Sequence, residues 1–154
     1  MNWDAWDFVF AGALTTVCAL FYLFVRARKP DNGAYKSAVG LAVATAFVLV
    51  WVNGAVGIIG SENNDANMMY AGVLAVGVVG AVIARFQPAG MARAMLATAL
   101  AQVLVAAIAV LAGFAPEGGI GDVLMITAFF GLLWVGSAGL FRRAAQQEVL
   151  TAAE

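Results

Sequence analysis

The 24 residues from Ser37 to Gly60, SAVGLAVATAFVLVWVNGAVGIIG, carry no charged side chain. As an α-helix this stretch would rise about 36 Å, enough to cross a hydrocarbon core about 30 Å thick. In lipid only a helix or a closed barrel satisfies its own backbone, and a barrel strand is about ten residues with strict alternation. This run is too long, too rich in Ala, Gly and Val, and unalternated. It is therefore predicted to be a membrane-spanning helix.

Working outward, four more such runs are found: Phe8 to Val25, Met68 to Ala84, Met91 to Phe114 and Val123 to Phe141. None contains Asp, Glu or Lys, and Arg93 sits close enough to a helix end to snorkel to the interface. The whole chain agrees, with 64% hydrophobic and 11% charged residues. About 25% charge is usual in a soluble domain, so a water-facing shell could not be assembled. The fold class read here is all-α: one polytopic domain over residues 1–154 with five transmembrane helices.

Charge supports the count of five. Arg26, Arg28, Lys29 and Lys36 follow the first span, Arg85 and Arg93 flank the turn after the third, and Arg142 and Arg143 follow the fifth. All eight cations thus fall on one side, leaving Asp4, Asp7, Glu62, Asp65, Glu117 and Asp122 on the other. The positive-inside rule then places the N-terminus outside and the C-terminus in the cytoplasm. Trp3, Trp6 and Tyr70 are expected near the outer interface, and Tyr22, Tyr35 and Phe86 near the inner one, as an aromatic belt. Asp31 and Asn32 are placed to cap the second helix and Asp65 the third.

The missing residue types exclude much chemistry. There is no His and a single Cys, Cys18, so a His-ligated haem, a metal–histidine site and a Ser/His dyad are not available. No Lys lies mid-span for a Schiff base, and no Asp or Glu lies mid-span to titrate in a proton-coupled carrier. The longest pieces expected outside the membrane are the tail after Phe141 and the connection from Arg26 to Lys36. No enzyme activity, metal or cofactor is expected, and bound lipid is the one non-protein component allowed for.

What is polar at depth is Thr15 and Thr16, Thr45 and Asn53, Thr98 and Gln102, and Thr127 and Ser137. Asn53 and Gln102 stand out, because a carboxamide facing lipid leaves donors and acceptors unmade. They are expected to bond between helices or, with Thr45 and Thr98, to line a path for a small uncharged solute. Trp51 and Trp134 lie deep as well. Small residues recur four apart, including Gly77 with Ala81 and Gly80 with Ala84, the signature of close helix approach in lipid. Gly72, Gly77, Gly80 and Ala84 are the packing candidates, and the glycine-rich third span is expected to be the most buried. Gly54, Gly57 and Gly60 weaken the outer end of the second span. The loop beyond it offers Glu62, Asn63, Asn64 and Asp65 as an outer contact.

Ala44-Thr45-Ala46 and Ala97-Thr98-Ala99 lie 53 residues apart, as do Gly60 and Gly113. This suggests a hairpin repeat, 37–86 and 91–143, related by an axis along the membrane normal. Trp51-Val52-Asn53-Gly54-Ala55-Val56-Gly57-Ile58-Ile59-Gly60-Ser61-Glu62-Asn63, with Ile83-Ala84-Arg85-Phe86 and Gly90-Met91-Ala92-Arg93-Ala94, resembles a group of small uncharacterised bacterial inner-membrane proteins. The resemblance implies a multi-pass bacterial inner-membrane location and no activity. The function expected is a non-catalytic subunit that packs against membrane lipid and against copies of itself or another membrane protein, without a nucleic-acid partner. A passive pore or carrier for a small neutral solute is the alternative.

Overall fold

The computed structural model describes residues 4–60, 63–116 and 119–154. Five helices are long and apolar enough to cross a membrane, and no strand occurs among the described residues. They are α1 (Ala5–Arg26), α2 (Gly33–Ala55), α3 (Met69–Ile83, preceded by a 3₁₀ turn Asp65–Met68), α4 (Pro88–Leu111) and α5 (Ile120–Ala152).

Local chemistry sets their ends. Asp4 and Asp7 form a reciprocal capping box at the start of α1, Asp4 Oδ1 accepting from the Trp6 and Asp7 amides and Asp7 Oδ2 from the Asp4 amide. Asn32, not Asp31, caps α2 by accepting from the Tyr35 amide at 3.0 Å. Asn64, rather than Asp65, caps the turn before α3, and Asp65 is its first residue. Pro88 opens α4, where its missing N–H is no loss.

Two boundaries differ from the sequence reading. The second span ends as helix at Ala55, and Gly57 and Gly60 take φ of +73° and +74° in the irregular chain that follows. The fifth continues as helix to Ala152, eleven residues past Phe141. Hydropathy marks where lipid ends, whereas Ala144-Ala145-Gln146-Gln147-Glu148 has no reason to stop being helical in water.

Helices α2, α5, α4 and α3 pack side by side in that order, while α1 leans mainly on α2 and touches the α3–α4 turn through Phe24 and Phe86. Along α5 the buried positions Val123, Thr127, Phe130, Trp134, Ser137, Phe141 and Ala144 alternate by four and three, the seam of a coiled-coil-like contact. The most buried helix is α4, with eleven buried residues, and not the glycine-rich α3, which buries Tyr70, Val73 and Ala81. Glycine density reports how closely a helix can be approached, but the number of neighbours sets burial. Helices α2 and α3 scarcely touch along their lengths. They are tied near their ends by Asn53 to Asn67 and by Tyr35 to Phe86. The hairpins 37–86 and 91–143 are accordingly packed differently, the second closely and the first loosely.

Candidate functional site

Three polar regions lie on this frame: a column inside the bundle, a loop at the asparagine-rich end and a turn at the cationic end. The column follows from helix register. Ser137 Oγ donates to the Ala38 carbonyl at 2.9 Å, the Tyr35 and Phe141 rings meet edge-on at 5.5 Å, and Asn32 Nδ2 donates to the Ala144 carbonyl at 2.9 Å. These contacts align α2 antiparallel to α5. On the other side, a β-carbon at Gly77 would lie 3.1 Å from Thr98 Oγ1, one at Gly80 2.8 Å from Ala94 Cβ, and one at Gly90 2.6 Å from Ala84 Cβ. These fix α3 against α4.

The same register puts Tyr70 level with Thr127, whose hydroxyl it approaches without a well-formed hydrogen bond. Gln102 and Thr45 lie roughly 5 Å further toward the cationic end, and Trp134 and Thr98 roughly 10 Å, at 1.5 Å rise per residue. All six residues are buried. Thr45 and Thr98 donate within their own helices, to the Leu41 and Ala94 carbonyls. The Tyr70 hydroxyl, the Thr127 hydroxyl, both ends of the Gln102 carboxamide and the Trp134 indole N–H have no hydrogen-bond partner among the described residues. Three of the four residues chosen from the sequence, Thr45, Thr98 and Gln102, are therefore buried at neighbouring levels of the bundle, Thr45 on α2 and the other two on α4. Bulky rings are buried in the bundle as well, Phe130 and Trp134 on α5, and Tyr35 and Phe141 toward the cationic end.

Asn53 is not part of the column. It sits at the loop end of α2, where Nδ2 donates to the Asn67 carbonyl at 3.1 Å and Oδ1 is buried without a partner among the described residues. Asn67, which sequence reasoning passed over, organises this end. Its Oδ1 accepts from the amides of Ile58 (3.0 Å) and Ile59 (2.8 Å), two buried residues held between Gly57 and Gly60. Asn64 reaches across to the chain just after α4, donating to the Phe114 carbonyl at 3.1 Å. Of the other loop candidates, Asn63 and Asp65 are exposed and Glu62 lies outside the described residues. Two positive-φ glycines around two isoleucines are the signal that could have pointed to Asn67, because such a turn buries amides that need an acceptor.

The packing candidates divide. Gly77, Gly80 and Ala84 form the close α3–α4 crossing, whereas Gly72 is exposed and a β-carbon there would meet nothing within 4 Å. Tyr35 and Tyr70, expected in an aromatic belt, are interior residues. Trp51 stacks on Phe47, with ring centroids 6.0 Å apart.

At the cationic end, Arg85 and Phe86 between α3 and α4 both adopt positive φ, 51° and 58°. Side chains rarely tolerate this region, and two in succession persist only where surroundings hold them. Tyr35 does so by donating to the Phe86 carbonyl at 2.6 Å, and the Phe86 amide donates to the Ala81 carbonyl at 3.1 Å. The Phe86 ring meets Phe24 of α1 edge-on at 5.7 Å, and the Arg28 guanidinium lies over both rings, 4.4 Å from Phe24 and 5.3 Å from Phe86. Lys29 and Glu148 form an ion pair at 2.6 Å beside the extension of α5.

Comparison with protein-family models, with curated proteins and with solved structures finds no match to this chain.

Proposed function

We propose that the protein is a non-catalytic, multi-pass membrane subunit that joins an assembly through α1. The observation carrying this reading is the isolation of that helix. Of its 22 residues only Val25 is buried, and apart from the Phe24–Phe86 contact at its end it leans on α2. Its far side presents Gly12 with open space around it and Thr16 one turn on, whose hydroxyl is already satisfied by the Gly12 carbonyl at 2.7 Å. A small-xxx-small face with no unmet polar group suits close approach by another helix, which van der Waals packing must drive in lipid. Phe8 stands exposed one turn before Gly12, and aromatic residues are enriched at contacts between chains.

The gathering of Arg26 to Lys36, Arg85 to Arg93 and Arg142 to Arg143 at one end of the bundle supports a cytoplasmic location for that end. We place the N-terminus outside and the protein in a bacterial inner membrane. A periplasmic phosphatase fused after Glu154 is expected to be inactive; activity there would reverse the orientation. The assembly reading is tested by Gly12→Cys in a Cys18→Ser background: oxidation in native membranes should give a cross-linked species, and Leu104→Cys on lipid-facing α4 should give none.

A second reading, passage of a small neutral solute, draws on the unpartnered polar atoms of Tyr70, Thr127, Gln102 and Trp134. Solute flux in liposomes that falls with Gln102→Leu would support it; unchanged flux would remove it.

A further inference from the structure

We propose that the end of α1 and the α3–α4 turn together hold one anionic phospholipid, with Arg28 and Arg85 on its phosphate. The Arg28 guanidinium is stacked on Phe24 and Phe86, a placement that restrains its plane while leaving N–H groups at its edge to donate. It makes no ion pair among the described residues, nor does Asp31, the nearest acid in sequence. Arg85 adjoins Phe86 and is exposed, carried there by the positive-φ turn that Tyr35 fastens. The strained turn therefore carries a second exposed cation at the residue next to the ring on which the first is stacked. A phosphate diester accepts bidentate bonds from such a fork.

The surroundings identify the source of the phosphate. Leu23 and Phe24 on α1, and Val82 and Ile83 on α3, lead from the two arginines along the helices and are all at least half exposed. Two apolar helix faces below two cations match acyl chains below a headgroup at the membrane interface. Net charge favours an anionic over a zwitterionic lipid. Eight cations share this end with Asp31, Glu148 and Glu154, and Glu148 is already paired with Lys29.

The test is native mass spectrometry of the full chain released from nanodiscs of phosphatidylcholine mixed with phosphatidylglycerol. The wild-type protein should retain one phosphatidylglycerol in preference to phosphatidylcholine. Arg28→Gln with Arg85→Gln should lower that preference roughly tenfold, whereas Arg142→Gln with Arg143→Gln, the same loss of charge elsewhere at this end, should leave it nearly intact. Phe24→Ala, which keeps every charge and alters a half-exposed position near the end of α1, should weaken it several-fold. Equal losses from both arginine pairs would reduce the site to diffuse charge and overturn the proposal. So would retention unaffected by Phe24→Ala, or displacement of the lipid by inorganic phosphate, which would assign the arginines to a soluble anion.

Discussion

The Tyr35 hydroxyl donates to the Phe86 carbonyl at 2.6 Å, joining the first turn of α2 to a turn 51 residues away. Without this bond two consecutive positive-φ residues, Arg85 and Phe86, would have little to hold them, and the loosely packed α2–α3 pair would lose its tie at the cationic end. Tyr35→Phe should lower stability in detergent by about 1–2 kcal/mol, since it leaves the carbonyl unpartnered while preserving the ring contact with Phe141. Arg85→Gly, which relieves one left-handed residue, should raise stability by roughly 0.5–1 kcal/mol. Thermal unfolding of the two variants checks both signs.

Asn67→Ala should be among the most damaging substitutions outside the helices. It strips the Ile58 and Ile59 amides of their acceptor, at roughly 1–3 kcal/mol for each buried group left unmade. Amide exchange at these two residues should accelerate before the helices are affected.

Gly80 and Gly72 lie on the same helix and should respond oppositely. A side chain at Gly80 meets Ala94 at 2.8 Å, so Gly80→Val should cost about 1–3 kcal/mol by forcing α3 away from α4. Gly72→Ala meets nothing and should be neutral or stabilising by up to about 1 kcal/mol through helix propensity. Unfolding midpoints of the two variants measure the difference.

Gln102→Leu removes two unpartnered buried polar atoms from the column and should hold or raise stability by roughly 1 kcal/mol. A clear loss of stability would mean that the carboxamide is engaged by a group beyond the described residues.

Spans were legible because an apolar run in lipid has one structural solution, and the helix cap at Asn32 because its spacing from the Lys29-Pro30 stop is local. What escaped the sequence depends on neighbours. Phe141 ends the apolar run but not the helix, since hydropathy is blind to a water-borne extension. Gly72 reads like Gly77 and Gly80 until α4 is placed on one side of α3. Tyr35 and Tyr70 have the composition of interface residues, and only the register with α5 sends them inward. Gln102, Thr45 and Thr98 were visible as polar residues at depth, but that all three are buried follows only once the helices are packed. Asn67 was one asparagine among several until the turn at Ile58 and Ile59 was folded around it.

The central claim is that α1 is a contact helix. Its most direct measurement is the native mass of the gently extracted protein beside that of the Gly12→Leu, Thr16→Leu double variant. The wild-type chain should run in a complex larger than one copy, and the variant should be released as a folded monomer with unchanged helix content. A wild-type protein that runs as a lone chain with no co-purifying partner would contradict it.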